Sequence, residues 1–111
     1  KKTLNVLKRQ LTKVLEKSFK RNNIIVAYEP IWSIGTGKIP TASELQKTTI
    51  HIKKVLKNIF KENSPAVLYG GSVDGSNVEM FKEIREIDGF LIGGASKSSK
   101  KFIDIIKNYY R

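Results

Sequence analysis

The chain has 111 residues, 40% of them apolar and none of them cysteine, with a net charge of +11. That length holds one small domain with its own core. The absence of cysteine excludes disulfides and thiolate metal sites, and no apolar run approaches the roughly 20 residues of a membrane-spanning helix. Lysines are spread over every segment, with no basic stripe interleaved with aromatics, so no nucleic-acid or membrane partner is expected. No segment reads as a signal peptide, which fits a cytoplasmic protein. The chain opens Lys1-Lys2-Thr3 and its one methionine is Met80, so its first residue reads as a cut.

Thr3 to Lys20 has the spacing of an amphipathic helix, with Leu4, Leu7, Leu11, Val14 and Leu15 recurring every three or four positions among lysines. Arg21-Asn22-Asn23 breaks it. Ile24 to Tyr28 is a short continuous apolar run, as in a parallel strand buried on both faces. Pro30 to Pro40 is a loop containing Gly35 and Gly37. A helix is expected from Thr41, with Glu44 completing a capping box; its apolar face is Leu45, Thr49, Ile52, Val55, Leu56 and Ile59, and Asn63-Ser64-Pro65 ends it.

Ala66 to Tyr69 reads as a second strand, closed by Gly70-Gly71-Ser72. Ser76 and Glu79 have capping-box spacing for another helix, with Met80, Phe81 and Ile84 facing inward. Phe90 to Ile92 is a third strand that runs into Gly93-Gly94. Phe102, Ile103, Ile106, Tyr109 and Tyr110 mark the inner face of a last helix. The order α-βα-βα-βα predicts an α/β protein with a parallel sheet and right-handed crossovers. Each strand ends in a Gly- or Pro-rich segment, the end at which such proteins place their ligands.

Glu29 follows an apolar run and precedes a proline. A carboxylate at the mouth of a buried strand is either paired with a cation or used for chemistry, and desolvation there would suit it to general-base work. Gly35-Thr36-Gly37-Lys38 is either a phosphate loop or a flexible loop, since it lacks the full Walker spacing. Gly70-Gly71-Ser72 and Gly93-Gly94-Ala95-Ser96 recur at the same strand end, which favours backbone N–H groups holding a phosphate over two unrelated tight turns. His51, the only histidine, sits mid-helix just off the apolar face and reads as an exposed or packing residue. Trp32 is either a surface anchor or part of a hinge.

Together, Ala27 to Lys38 closely resembles the active-site segment of triosephosphate isomerases, and Tyr69 to Val73 and Asp88 to Ser96 resemble that family's next two strand-end motifs in order and spacing. The resemblance implies the last three βα units, with the preceding helix, of a (β/α)8 barrel, residues 1–111 being the C-terminal portion of one domain. It implies interconversion of dihydroxyacetone phosphate and glyceraldehyde 3-phosphate through an enediol(ate), in glycolysis and gluconeogenesis, with Glu29 as the proton shuttle and no cofactor or metal. That enzyme is a standing example of a Glu base paired with a neutral His, and of a closing lid.

By the same resemblance, Gly35, Ser72, Gly93 and Gly94 hold the phosphate. The lid runs from Ile31 to Ile39, comprising Ile31, Trp32, Ser33, Ile34, Gly35, Thr36, Gly37 and Lys38, with Pro30-Ile31-Trp32 as leading hinge and Tyr69 as a partner on the barrel. In that family the residue at the position of Pro40 donates its backbone N–H to the tyrosine matching Tyr69. Proline has none, so Tyr69 is expected to contribute less to closing the lid, and Ser72 more.

A full barrel needs about 250 residues. The family's catalytic lysine and histidine, and most of its homodimer interface, fall in the N-terminal half that these residues do not match, so the 111 residues alone are expected to be inactive. A second reading is a non-catalytic, phosphate-binding partial barrel that pairs with another chain.

Overall fold

The computed structural model describes residues 2–15, 19, 23–33 and 35–111. In chain order the elements are helix α1 (Lys2–Val14), strand β1 (Ile25–Tyr28), helix α2 (Ala42–Phe60), strand β2 (Ala66–Gly71), strand β3 (Gly89–Ile92) and helix α3 (Ser99–Tyr109). Between them run 3₁₀ segments at Ile31–Ser33, Val78–Glu83 and Gly94–Lys97. The strands form one parallel sheet in the order β1-β2-β3, with Tyr28 beside Tyr69 and Tyr69 beside Phe90. The expected parallel α/β architecture is present.

The helices cover one face of the sheet. Val26, Tyr28, Val67, Tyr69, Phe90 and Ile92 all point to that side. Near α1 they meet Ile52, Leu56 and Phe60 of α2, with Leu7 and Leu11 of α1 closing over them. Near α3 the core is Leu45, Tyr69, Val73, Val78, Phe81, Ile84 and Ile105. Phe81 stacks on Tyr69 at a centroid distance of 4.9 Å and meets Phe90 edge-on at 5.4 Å, and Phe90 meets Tyr109 edge-on at 5.5 Å. Such pairs add about 0.5–1.5 kcal/mol each beyond area burial, and here they tie β2, the 3₁₀ segment, β3 and α3 together.

Several sequence expectations need correction. The first strand is not buried on both faces. Ile25 is 68% exposed, Ala27 is exposed, and Leu91 of β3 is 47% exposed. A continuous apolar run cannot tell two covered faces from one covered face and one bare one. The glycines after Tyr69 do not close β2; Gly70 and Gly71 continue it and pair with Leu91 and Ile92.

The Ser76–Glu79 capping box does not form. Asp74 takes the free donors instead, and the segment behind it is 3₁₀, with Phe81 and Ile84 buried and Met80 partly so. On α3 the buried residue is Ile105, while Phe102, Ile103, Ile106 and Tyr110 are exposed. The first helix ends at Val14; Phe19 is not helical, and the rest of its expected end, residues 16–18 and 20, lies outside the described residues.

α2 forms as its pattern predicts. Thr41 caps it, with Oγ1 accepting from the Glu44 N–H at 3.1 Å and donating to Glu44 Oε1 at 3.0 Å. Its far end turns at Lys61, in the left-handed region at φ 59°, just before the expected stop. His51 packs between helices, its Nε2 lying 3.0 Å from the Leu4 carbonyl oxygen.

Asp88 pins the register of β2 against β3. Its N–H donates to the Val67 carbonyl at 2.9 Å, its Oδ2 accepts from the Val67 N–H at 2.8 Å, and Lys53 Nζ lies 3.0 Å from the same oxygen. Removing the carboxylate strands the Val67 N–H beside a buried residue, which costs about 1–3 kcal/mol. Losing only the half-exposed lysine costs about 1 kcal/mol or less. Urea unfolding of a complete barrel carrying this chain is therefore expected to show a clear stability loss for Asp88→Ala and a small one for Lys53→Met. Equal losses would show that the ion pair, not the backbone bond, is what matters.

Candidate active site

The C-terminal ends of β1, β2 and β3 lie side by side, so the segments that leave them converge. Gly35, Gly37, Ser72, Gly93 and Gly94 line a single cavity of about 650 Å³. Sequence reasoning assigned Gly35, Ser72, Gly93 and Gly94 to one ligand and Gly37 to the lid, and all five line this cavity. The structure adds residues that no motif marked: Asp74, Lys101, Asp104 and Asn108 also line the cavity, on the loop after β2 and on α3. Lys101 supplies a cationic side chain, while Asp104 lies 3.4 Å from Lys100. The last three come from a helix whose spacing signalled only packing.

Glu29 sits one residue beyond β1, exposed, and borders a separate concavity of about 250 Å³ between β1 and α1. The desolvation expected at a strand mouth is not provided by the described residues. Its side chain lies across the backbone of β2. A Cβ placed on Gly70 would fall 2.6 Å from Glu29 Cγ and 3.0 Å from Oε1. Gly70 is therefore the floor on which the carboxylate rests, and no other residue leaves room for it there.

The segment 31–39 folds back onto β2. It opens with a 3₁₀ turn, in which the Ser33 N–H donates to the Pro30 carbonyl at 2.9 Å. Thr36 Oγ1 donates to the Trp32 carbonyl at 2.7 Å and accepts from the Lys38 N–H at 3.1 Å. Gly35 and Gly37 carry the left-handed φ values, 66° and 77°, that reverse the chain. Ile31 and Trp32 are exposed, Pro30 and Pro40 are buried, and Ile34 lies outside the described residues.

Ser72 holds this segment from below. Its Oγ donates to the Ser33 carbonyl at 2.6 Å and accepts from the Gly37 N–H at 2.9 Å. Its own N–H is turned toward Ser33 Oγ at 3.3 Å, the longest bond of the set.

Tyr69 keeps a hold on the segment although Pro40 offers it no N–H. Its hydroxyl meets Ser33 Oγ at 2.8 Å. Gly71, at φ 152°, clears the way: a Cβ there would fall 2.5 Å from the Tyr69 hydroxyl and 2.7 Å from Ser33 Oγ. Burial raises the pKa of Tyr69 above the ordinary tyrosine value of 10.0, against a smaller lowering from its bond to Ser33. The phenol therefore keeps its proton through neutral pH.

Behind Ser72 stands a turn that sequence reasoning missed. Asn77 Nδ2 donates to the Ser72 carbonyl at 3.0 Å, and Asn77 Oδ1 accepts from the Asp74 N–H at 2.9 Å. Asp74 Oδ1 in turn accepts from the Ser76 N–H at 2.8 Å, Ser76 Oγ at 2.6 Å and the Asn77 N–H at 3.0 Å. The spacing of Asp, Ser and Asn after a strand is an Asx-turn signal, and it would have found this support.

A parallel α/β sheet whose strand ends bring glycines, a lysine and a folded-back loop to one cavity, with a carboxylate laid across the middle strand, has the layout of a barrel-type protein, a class that places its sites at the C-terminal strand ends. Comparison with known proteins narrows the class. The model of the triosephosphate isomerase family matches residues 1–109, and the chain belongs to that family.

The chain is 44% identical to the triosephosphate isomerase of Saccharomyces cerevisiae, over 96% of this chain and 44% of that protein. It is also 44% identical to that of Chlamydia abortus, over 80% of this chain and 36% of that one. The crystal structure of the Bartonella henselae enzyme superposes with a TM-score of 0.82 at 33% identity, over 97% of this chain and 43% of that chain. The fold is thus a portion of a triosephosphate isomerase barrel, and the chain spans less than half the length of the relatives it matches.

The Asp74 turn makes a prediction about pH. Hydrogen bonding, from the Ser76 side chain above all, lowers the Asp74 pKa below the ordinary 3.8, against a smaller effect of burial. A depressed carboxylate stabilises the turn above 3.8, and that contribution is lost as pH falls through the lowered folded value. The Ser76 and Asn77 amide resonances are expected to titrate with a midpoint below 3.8. A midpoint at or above 3.8 would mean that the turn is not formed in solution.

Proposed function

We propose that the complete protein interconverts dihydroxyacetone phosphate and glyceraldehyde 3-phosphate, with this chain supplying the base, the lid and the phosphate cradle. The observation that carries the reading is the placement of Glu29 across Gly70, one residue before Gly71, which lines a cavity with Gly35, Gly37, Ser72, Gly93 and Gly94.

In this reading the substrate's phosphate binds to the backbone N–H groups of Gly35, Ser72, Gly93 and Gly94. Lys101, in the same cavity, adds positive charge. The Ser72 amide, whose bond to Ser33 Oγ is the longest of the set, turns to the anion. The Glu29 carboxylate takes a proton from the carbon beside the carbonyl of the ketose, leaving an enediol(ate), and returns it to the former carbonyl carbon. One C–H bond breaks and another forms, so no net oxidation occurs and no redox cofactor is required. The segment 31–39 excludes water from the cavity, and the rest of the proposed barrel gives Glu29 the desolvation that it lacks in the described residues.

The lysine and histidine of the resembled family's site, together with the rest of the barrel, lie outside these 111 residues. The intact protein is proposed to be a cytoplasmic homodimer joined through that other half. No helix among the described residues is long and apolar enough to cross a membrane.

Two substitutions in a complete barrel carrying this chain test the assignment. Glu29→Gln removes the base and keeps the shape, so turnover is expected to fall by about 10²–10⁴-fold or more, with affinity for inorganic phosphate little changed. Gly70→Ala pushes the Glu29 side chain off its floor by about an ångström, a misplacement of the size that costs roughly 10²-fold. Near-normal turnover of the Gln variant would end the assignment of Glu29 as base. Loss of phosphate affinity in both would make them structural residues.

A further inference from the structure

Among the described residues of the segment 31–39, Ser33 is the one fully buried, and its side chain is polar. A buried hydroxyl is retained when its hydrogen bonds are filled, and here the filling can be worked out. Three polar atoms surround Ser33 Oγ: the Lys38 carbonyl oxygen at 2.5 Å, the Tyr69 hydroxyl at 2.8 Å and the Ser72 amide nitrogen at 3.3 Å. A serine hydroxyl has one proton to donate and two lone pairs. The Lys38 carbonyl can only accept, so it receives the proton. The Ser72 N–H can only donate, so it takes one lone pair. The remaining lone pair must receive the Tyr69 O–H, which makes Tyr69 the donor.

Those contacts join three places that no other side chain joins among the described residues. Ser33 itself lies at the leading end of the segment and Lys38 near its trailing end. Tyr69 and Ser72 lie on and just beyond β2. The Ser33 carbonyl adds a fourth link by accepting from Ser72 Oγ. Pro40, at the trailing end, has no N–H to donate to the Tyr69 hydroxyl, so among the described residues Ser33 Oγ is the lid atom that this buried phenol meets. The glycine at 71 keeps the space between the Tyr69 hydroxyl and Ser33 Oγ open.

We infer that Ser33 is the positioning residue of the lid: its hydroxyl bolts both ends of the segment 31–39 to β2 and so sets how much of the time the lid lies closed over the phosphate cavity. The inference deepens the proposed function and rests on its reading of 31–39 as a lid. It does not require that Glu29 be the base. Ser33 touches no reacting atom. It acts through Gly35 and Gly37, whose positions over the cavity depend on where the two ends of the segment are held.

The test uses a complete barrel carrying this chain, labelled with 5-fluorotryptophan, with the ¹⁹F signal of Trp32 assigned through Trp32→Phe. Trp32 adjoins Ser33 and is half exposed, so its signal reports the lid. Inorganic phosphate is the probe, because it loads the cavity without any proton transfer. With phosphate bound and the Ser72 amide turned to it, Ser33→Ala removes the two hydrogen bonds that remain, to the Lys38 carbonyl and the Tyr69 hydroxyl, each worth about two- to tenfold in an equilibrium. At saturating phosphate the closed-to-open ratio is expected to fall at least about fourfold, and kcat to fall with it. A purely packing role would instead lower the melting temperature and leave the Trp32 populations alone.

Tyr69→Phe removes one of these two bonds and is expected to shift the ratio about two- to tenfold alone, and hardly at all in the Ser33→Ala background. It also serves if Ser33→Ala does not fold. An unchanged closed-to-open ratio in a folded Ser33→Ala protein, or an equal effect of Tyr69→Phe in both backgrounds, overturns the inference. Near-normal turnover of Glu29→Gln would sink the base assignment and leave the lid measurement standing.

Discussion

Two hydrogen atoms stand where side chains usually begin, at Gly70 and Gly71, and the arrangement of the strand ends depends on them. β1 and β2 run parallel with Tyr28 level with Tyr69, so the next residue of each strand, Glu29 and Gly70, meet across the gap. Because Gly70 has no Cβ, the Glu29 side chain can lie flat on β2 instead of standing away from it. One residue on, the same absence at Gly71 lets the Tyr69 hydroxyl reach Ser33 Oγ. The two faces of one glycine pair thus serve two purposes, a floor for a carboxylate and a passage for a hydrogen bond. Two glycines inside a strand lose order and packing, about 0.5–1 kcal/mol each relative to alanine. Pairing of Gly70 and Gly71 with Leu91 and Ile92 of β3 works against that loss.

The two faces of the same sheet are unlike. Its covered face holds all the large side chains that bury, down to the aromatic row from Tyr69 to Tyr109. Its other face leaves Ile25 and Leu91 in water, and the outer edges of β1 and β3 pair with nothing among the described residues. Exposed apolar positions beside open strand edges favour further pairing. In the proposed complete barrel, neighbouring strands take those edges and the bare face turns into the lumen. Glu29 belongs to that face, so its exposure here and that of Ile25 have one cause.

The sequence made the elements with strong periodicity legible and blurred those with competing signals. α2 was readable because its cap, apolar stripe and stop agree. β1 was readable as a strand but not in its burial, since Ile24 to Tyr28 is apolar at every position and alternation is the only clue to a bare face. Gly70-Gly71 reads as a turn by composition, yet backbone pairing to Leu91 and Ile92 outweighs it. Ser76 and Glu79 have the spacing of a cap, but Asp74 sits nearer to the same N–H groups and a carboxylate accepts more strongly than a hydroxyl. On α3 the choice between Ile103, Ile105 and Ile106 could not be made from the stripe, because apolar residues occupy most of one turn. The strand-end motifs were legible as a set. What the motifs could not show was the support behind them, Asp74 and Asn77 under Ser72, and Lys101 on a helix far along the chain.

Pro40 shows how a local deficit read from the sequence can be answered elsewhere in the fold. A proline removes one donor, and the residue that loses by it is Tyr69, whose hydroxyl is buried and must find a partner. Leaving a buried hydroxyl unpaired costs about 1–3 kcal/mol, more than proline returns by stiffening the hinge, about 0.4–1 kcal/mol. On those magnitudes the proline would be a net loss. The Ser33 hydroxyl changes the balance by accepting the phenol's proton from the other end of the same segment. The bond also changes character: with the proton of Ser33 committed to the Lys38 carbonyl, Tyr69 is the donor. The hydroxyl at the leading end therefore ties Tyr69 to the segment through the phenol's own proton, a different bond from the one that an N–H at position 40 would have donated to the phenol's oxygen.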